Sequence, residues 1–287
     1  MRLNRRWLGI ACLQGRIPLA VASLLVLAAM FLKFGPGAGY VLPAESQDRI
    51  QEHVPSFYHR NPGLDATQVR AALGHLPLIF EANRGQSNPA VKFLARGSGY
   101  ELFLTANEAV LALQPPSGKT PKSLRQLSVL SMGLAQANPH AEVSGADLLP
   151  GKSNYFIGND PSQWHRGIPQ YSRVRYRNVY PGIDLVYYGN RGRLESDFEV
   201  APGSNPRQVA LRFRGADQVR IDGSGNLVLS LQGGAVVLES PRVYQRFGIE
   251  ERTVSGRFEL RSKDEAGFVL GDYDRSRTLI IDPVLTY

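Results

Sequence analysis

"VYPGIDLVYYGNRGRLESDFEV", residues 179–200, is the stretch whose reading decides the fold class. In its last third, "LESDFEV" (194–200), Leu194, Ser196, Phe198 and Val200 fall on one face of an extended chain, and Glu195, Asp197 and Glu199 fall on the other. "DLVYYG" (184–189) supplies the branched and aromatic side chains that strands favour, and Asn190 to Gly192 supplies a glycine for a tight turn. The stretch predicts a β-hairpin with one face in a core and three carboxylates facing out.

"YSRVRYR" (171–177) repeats the pattern with the opposite sign, with Tyr171, Arg173, Arg175 and Arg177 on one face and Ser172, Val174 and Tyr176 on the other. Complementary stripes on strands that are adjacent, or one strand apart, predict a structural charge ladder. Arg173, Arg175 and Arg177 would meet Glu195, Asp197 and Glu199, each pair contributing about 0.2–1 kcal/mol. Such a ladder accounts for the acids without catalysis.

Working outward, short period-two runs begin at Leu78 and continue to the end, separated by Gly, Pro, Asn and Asp. They include "VKFLAR" (91–96), "YELFLT" (100–105), "EAVLAL" (108–113), "QLSVLSMGL" (126–134), "ALRFRG" (210–215) and "NLVLSL" (226–231). "AVVLES" (235–240), "SGRFEL" (255–260) and "TLIIDP" (278–283) complete the series. Many short strands with no long amphipathic helix between them predict an all-β, antiparallel, sandwich-like domain over 76–287, or two packed β units with a sub-boundary near 201–217. "DGSGN" (222–226) reads as a turn, because it lacks the further ligands of a calcium loop. "QPPSGKTPKS" (114–123) reads as a polar, proline-broken loop.

The N-terminal part differs in kind. "IPLAVASLLVLAAMFL" (17–32) is unbroken apolar chain, preceded by Arg2, Arg5, Arg6 and Arg16. The asymmetry predicts export of the remainder of the chain, and the length fits both a cleaved signal peptide and an uncleaved signal-anchor over residues 1–39. Residues 40–75 read as a linker, with a short helix in "DATQVRAALGHL" (65–76). The formal charge of +8 resides mostly in this region: residues 1–44 carry five basic residues and no acid, leaving 28 basic against 25 acidic, or +3. That balance excludes the basic footprint of a nucleic-acid binder. The one cysteine, Cys12, precedes the apolar run, so residues 45–287 hold no disulfide, thiolate metal site or cysteine nucleophile.

Chemistry is sparse. Carboxylates two residues apart on a strand lie roughly 7 Å apart, within the inverting glycosidase range. A general acid needs a raised pKa, however, and solvated acids beside arginines are pushed the other way. The five histidines show no metal-ligand spacing, and nucleophile-elbow, phosphate-loop and H-E-x-x-H patterns are lacking. Tyrosines and Trp164 crowd the middle of the chain; Trp164, Tyr187 and Tyr188 are the candidates for stacking on a sugar, against the commoner role of tyrosines in sheet packing. No cofactor or metal site is expected.

"FEANRGQ" (80–86), "VKFLARGSGYELFLTANEAVLAL" (91–113), "NYFIGNDPSQW" (154–164), "VYPGIDLVYYGNRGRLESDFEVAPG" (179–203) and "IIDPVLTY" (280–287) carry a resemblance. Together they resemble the N-terminal β-rich domain of unknown function found ahead of SBBP-type seven-bladed β-propeller repeats in secreted bacterial proteins. The resemblance runs from about Leu76 to the C-terminus. It implies an extracytoplasmic, non-catalytic module and supplies no active-site residues. Proteins of that kind continue into propeller repeats, whereas this chain stops at Tyr287, so a truncated product and a domain working alone are both expected alternatives. The expected function is an exported, cell-surface interaction or structural module, with a carbohydrate-binding module as the alternative and a glycoside hydrolase behind it. The expected partners are a surface protein or glycan, and a membrane through the apolar segment if it stays uncleaved.

Overall fold

A computed structural model describes residues 78–287 apart from 98, 115–127, 191 and 233. The signal or anchor segment, the linker with its short helix and nearly all of the 114–123 loop lie outside the described residues.

The strands are, in chain order, β1 (Phe80–Ala82), β2 (Val91–Gly97), β3 (Tyr100–Thr105), β4 (Glu108–Leu113), β5 (Ser128–Leu134) and β6 (Glu142–Tyr155). The long β7 (His165–Tyr180) leads into β8 (Ile183–Asn190) and β9 (Arg193–Val200), the hairpin of residues 179–200. There follow β10 (Ala210–Arg214), β11 (Gln218–Ile221), β12 (Leu227–Leu231), β13 (Gly234–Leu238) and β14 (Arg242–Phe247). The last are β15 (Glu250–Val254), β16 (Gly256–Leu260), β17 (Glu265–Leu270), β18 (Leu279–Asp282) and β19 (Val284–Thr286).

Every pairing is antiparallel. Fifteen strands succeed one another around a nearly closed, barrel-like sheet in the order β16, β17, β10, β5, β4, β3, β2, β1, β7, β8, β9, β19, β13, β12, β11. The opening lies between β11 and β16. β6 branches from β7, and β18 branches from β9 and carries β14 and β15.

This corrects the sandwich expected from the sequence. A sandwich keeps two sheets with free edges, but here β1 joins β2 to β7, with Phe80 opposite both Ala95 and Tyr171, and β10 joins β5 to β17. Those ladders satisfy edge N–H and C=O groups that two separate sheets would leave open. Residues 201–217, the suggested sub-boundary, lead through a 3-10 turn (Pro206–Gln208) into β10, one of these joining strands.

The alternation in "LESDFEV" holds: Leu194, Phe198 and Val200 are buried in one continuous interior cluster that also takes Leu102, Leu111, Leu229 and Phe268 from other parts of the ring. The β8–β9 ladder is in unbroken register from Ile183 opposite Val200 to Asn190 opposite Arg193, and Gly192 turns the chain at φ +77°. "DGSGN" is a turn, as expected: Asp222 Oδ1 accepts from the backbone N–H groups of Ser224 and Asn226 between β11 and β12.

Within β8, Gly189 has no side chain because Leu78 crosses it. A Cβ at Gly189 would lie 2.6 Å from the Leu78 backbone nitrogen and 2.9 Å from its Cα. Gly189→Ala is therefore expected to destabilise the protein by about 1–3 kcal/mol. The chemical-denaturation midpoint measures this; an unchanged midpoint would mean that the Leu78 backbone moves aside freely.

Candidate functional site

The outer face of β8, β9, β18 and β14 brings together three carboxyl groups: Glu195 and Asp197 from β9, and Asp282 from the end of β18, opposite Arg242 of β14. The alternation of each strand puts them on one face, but they are not simply solvated. Glu195 is 5% exposed and Asp282 7%, and among the described residues none of the three has a basic nitrogen within ion-pair distance. Tyr188 Oη donates to Asp197 Oδ1 at 3.0 Å. Asp282 accepts a hydrogen bond from the Asp197 carboxyl, while its buried Oδ1 has no hydrogen-bond partner among the described residues. Burial first, and then the charge of Asp282, push Asp197 up to about 7. Burial and the charge of Glu195 push Asp282 up to about 6, against the pull of Arg242. Burial, with Asp197 and Asp282 beside it, also raises the Tyr188 hydroxyl.

The charge ladder forms in part, and it divides. Arg175 Nη1 and Nη2 donate to Glu199 at 2.6 and 3.1 Å, and Nη1 also reaches Asp184 at 2.9 Å. This is a two-pronged guanidinium–carboxylate contact across the intervening strand β8. Arg173 instead meets Asp147 at 3.2 Å, and Arg177 meets Glu142 at 4.0 Å, both on β6. The expectation that all three acids are solvated and meet arginines is therefore corrected for Glu195 and Asp197: Glu195 is buried, neither meets an arginine, and Glu199 alone of the three does. β6 draws two of the arginines away, and β18 adds a third acid in their place.

The stacking candidates do not share a surface. Tyr187 faces the interior, edge to Tyr176 at 5.8 Å between centroids, and burial raises its hydroxyl. The two rings line the inner part of a pocket of about 230 Å³ with Met132, Leu134, Ala137 and Leu185, which opens to solvent past Asn107, Gln136 and Asn138. None of the three clustered acids lines it. Tyr188 lies on the opposite face, half-buried, with the Arg173 guanidinium 5.3 Å above its ring. Trp164 sits elsewhere, at the end of the β6–β7 hairpin.

That hairpin end is the second notable region. β6 forms a backbone ladder with β7 alone among the described strands, and none of its residues is buried. Gly145, Pro150 and Gly151 break the period-two signal, and for that reason sequence reasoning missed it as a strand. At its foot, Glu81 of β1 accepts from Ser153 Oγ at 2.6 Å and from the Tyr155 hydroxyl, with Arg96 at 3.5 Å. Burial and the Glu81 contact push Tyr155 up to about 12. Thus "FEANRGQ" and "NYFIGNDPSQW", far apart in sequence, meet here; Gly85 also lies against His165.

Beyond the foot, Phe156 and Ile157 are 59% and 53% exposed. Phe156 packs edge-on to Trp164 at 5.2 Å, and Arg166 lies 5.3 and 5.0 Å over the two rings. The turn is held by its own hydrogen bonds. Asp160 caps a 3-10 turn (Pro161–Gln163) through the Ser162 N–H, and Trp164 Nε1 donates to the Gly158 carbonyl at 3.1 Å. Among the described residues, no group of three or more His, Cys, Asp or Glu is arranged to hold a metal.

Fold and surface together define an all-β protein, a nearly closed antiparallel sheet with an exposed hairpin end and an acid cluster on its outer face. Residues 80–284 match the family model described as "Domain of unknown function (DUF7948)", and the chain belongs to that family. No curated protein and no solved structure matches the chain.

Proposed function

We propose that the chain is a non-catalytic, exported module that acts by surface contact, and that the end of the β6–β7 hairpin makes that contact. The carrying observation is the concentration of exposed apolar side chains there. Of the six large apolar residues conspicuously exposed among the described residues, Phe156 and Ile157 stand side by side at this end, and Leu148 lies further back on β6, opposite Tyr171. Exposed apolar groups clustered on a stiff frame are characteristic of interaction sites. Export is supported by the basic start and apolar run of residues 1–39, and a place ahead of propeller repeats by the sequence resemblance.

A sugar-stacking platform built from Trp164, Tyr187 and Tyr188 is disfavoured, since one ring is interior and the other two are on separate surfaces. A hydrolytic reading draws support from the raised Asp197, but Glu195 and Asp282 beside it are covered, and the pocket lined by Tyr176 and Tyr187 lies on the other face of the sheet.

A photo-crosslinking residue at position 157 of the full chain, in its native cells, tests the reading. A specific adduct at 157 and none at the fully exposed Ile249 is the expected result. Equal labelling at both positions, or none at either, would sink it. So would turnover of a polysaccharide panel that disappears in Asp197→Asn.

A further inference from the structure

We infer that the hairpin end enters the headgroup region of a phospholipid bilayer, with Phe156 and Ile157 passing among the upper acyl chains and Trp164 and Arg166 at the polar boundary. This rests on the proposal that the hairpin end is the contact surface, and names what it contacts. Phe156 and Ile157 stand exposed beyond the last residue of β6, and neither lines the pocket described above. Side chains this exposed do not enclose a small ligand.

Three polar side chains of the turn are engaged within it, while Asn159 and Gln163 are exposed. Trp164 Nε1 is held by the Gly158 carbonyl, the Asp160 carboxylate by the Ser162 N–H, and Asn154 Oδ1 by the Gly167 N–H at 2.8 Å. Recognition of a glycan needs free, directional donors and acceptors beside the aromatic rings. Entry into a bilayer needs the reverse, polar groups already satisfied and apolar side chains turned out. An indole with an adjoining cation is the pair expected at the water–lipid boundary, and Arg166 and Lys152 near this end suit anionic headgroups, against the single exposed carboxylate of Asp160.

The sequence offers a direct probe, because Trp7 and Trp164 are its only tryptophans. The full-length chain carrying Trp7→Phe would be reconstituted with vesicles of phosphatidylethanolamine and phosphatidylglycerol, with and without phospholipid brominated on its acyl chains. The expected result is about a twofold loss of Trp164 emission in the brominated vesicles. The loss should disappear in Phe156→Ser/Ile157→Ser, whose denaturation midpoint should match that of its parent. Trp164 emission indifferent to bromine, with unchanged quenching by aqueous iodide on adding vesicles, would overturn the inference. If position 157 still crosslinks to a protein or glycan in that case, the contact reading stands and only the bilayer falls. If it crosslinks to nothing, both fall. Quenching that persists undiminished in Phe156→Ser/Ile157→Ser would also overturn it, since the apolar pair would then not be the part that enters the lipid.

Discussion

Asp197→Asn is expected to make the protein more stable at pH 8 by roughly 2 kcal/mol. The side chain normally ionises near 3.8 and is pushed up to about 7 in the fold, by burial and then by Asp282. The folded state therefore holds a proton that the unfolded chain releases. Its contribution is complete below the unfolded value and is lost as pH rises through the folded one, so stability should fall between about pH 4 and pH 7. The interval between those two values corresponds to about 4 kcal/mol for an isolated group. Sharing one proton with Asp282, and partial contact with water, reduce the expected gain to about half. Asparagine keeps the acceptor for Tyr188 Oη and a donor toward Asp282 without the charge. The acids held below their usual range act outside this window. Asp160 is held down first by the Ser162 side chain, Asp222 by the Asn226 backbone and Asp274 by the Ser276 side chain. What they contribute is lost only as pH falls below about 3.8. Denaturant midpoints at several pH values measure the effect. Stability that rises from pH 5 to 8 in the unaltered chain, or no gain in Asp197→Asn, would contradict it.

Phe198→Ala should cost about 3–5 kcal/mol, a large share of the roughly 5–15 kcal/mol that stabilises a domain. Phe198, Phe268 and Phe258 are at most 2% exposed, with centroid separations of 5.9 Å for Phe198–Phe268 and 5.3 Å for Phe268–Phe258. Phe198 lies on β9, whereas Phe268 and Phe258 lie on β17 and β16, which share no ladder with β9. The three rings thus connect distant parts of the ring of strands through its interior. Truncation leaves a hole that backbone bonds along the sheet hold open, because the strands cannot close in without breaking their ladders. A fall in the unfolding midpoint, with exposed-core dye binding at lower temperature, is the expected observation. A loss under about 1 kcal/mol would show that the interior is loosely filled there.

The acid cluster has two further consequences. A carboxyl group near 7 on an outer sheet face is an unusual feature to retain, since an amide at the same place satisfies the same partners. By the same sign, the cluster taken alone favours the fold in mild acid over neutral pH.

The sequence by itself determined the strands of alternating character, the β8–β9 hairpin and the faces of its residues. Period-two patterning is local: Leu194, Phe198 and Val200 must turn inward together once the chain is extended. It also determined that Arg175 and Glu199 share a face. Tertiary structure alone decided the neighbours. The joining of β1 to β7 and of β10 to β17, which turns two expected sheets into one nearly closed ring, depends on ladders between residues about 90 and about 55 positions apart. No periodicity within a strand encodes its partner. For the same reason "TLIIDP" read as a strand without showing that Asp282 adjoins Glu195 and Asp197, so the shift of Asp197 could not be read from the hairpin. β6 was hidden by its glycines and proline, and with it the partners of Arg173 and Arg177 and the exposed end formed by Phe156, Ile157 and Trp164. Backbone pairing with β7 holds β6 extended where its own side chains give no such signal, because a strand bonded to a long, regular neighbour needs little intrinsic preference.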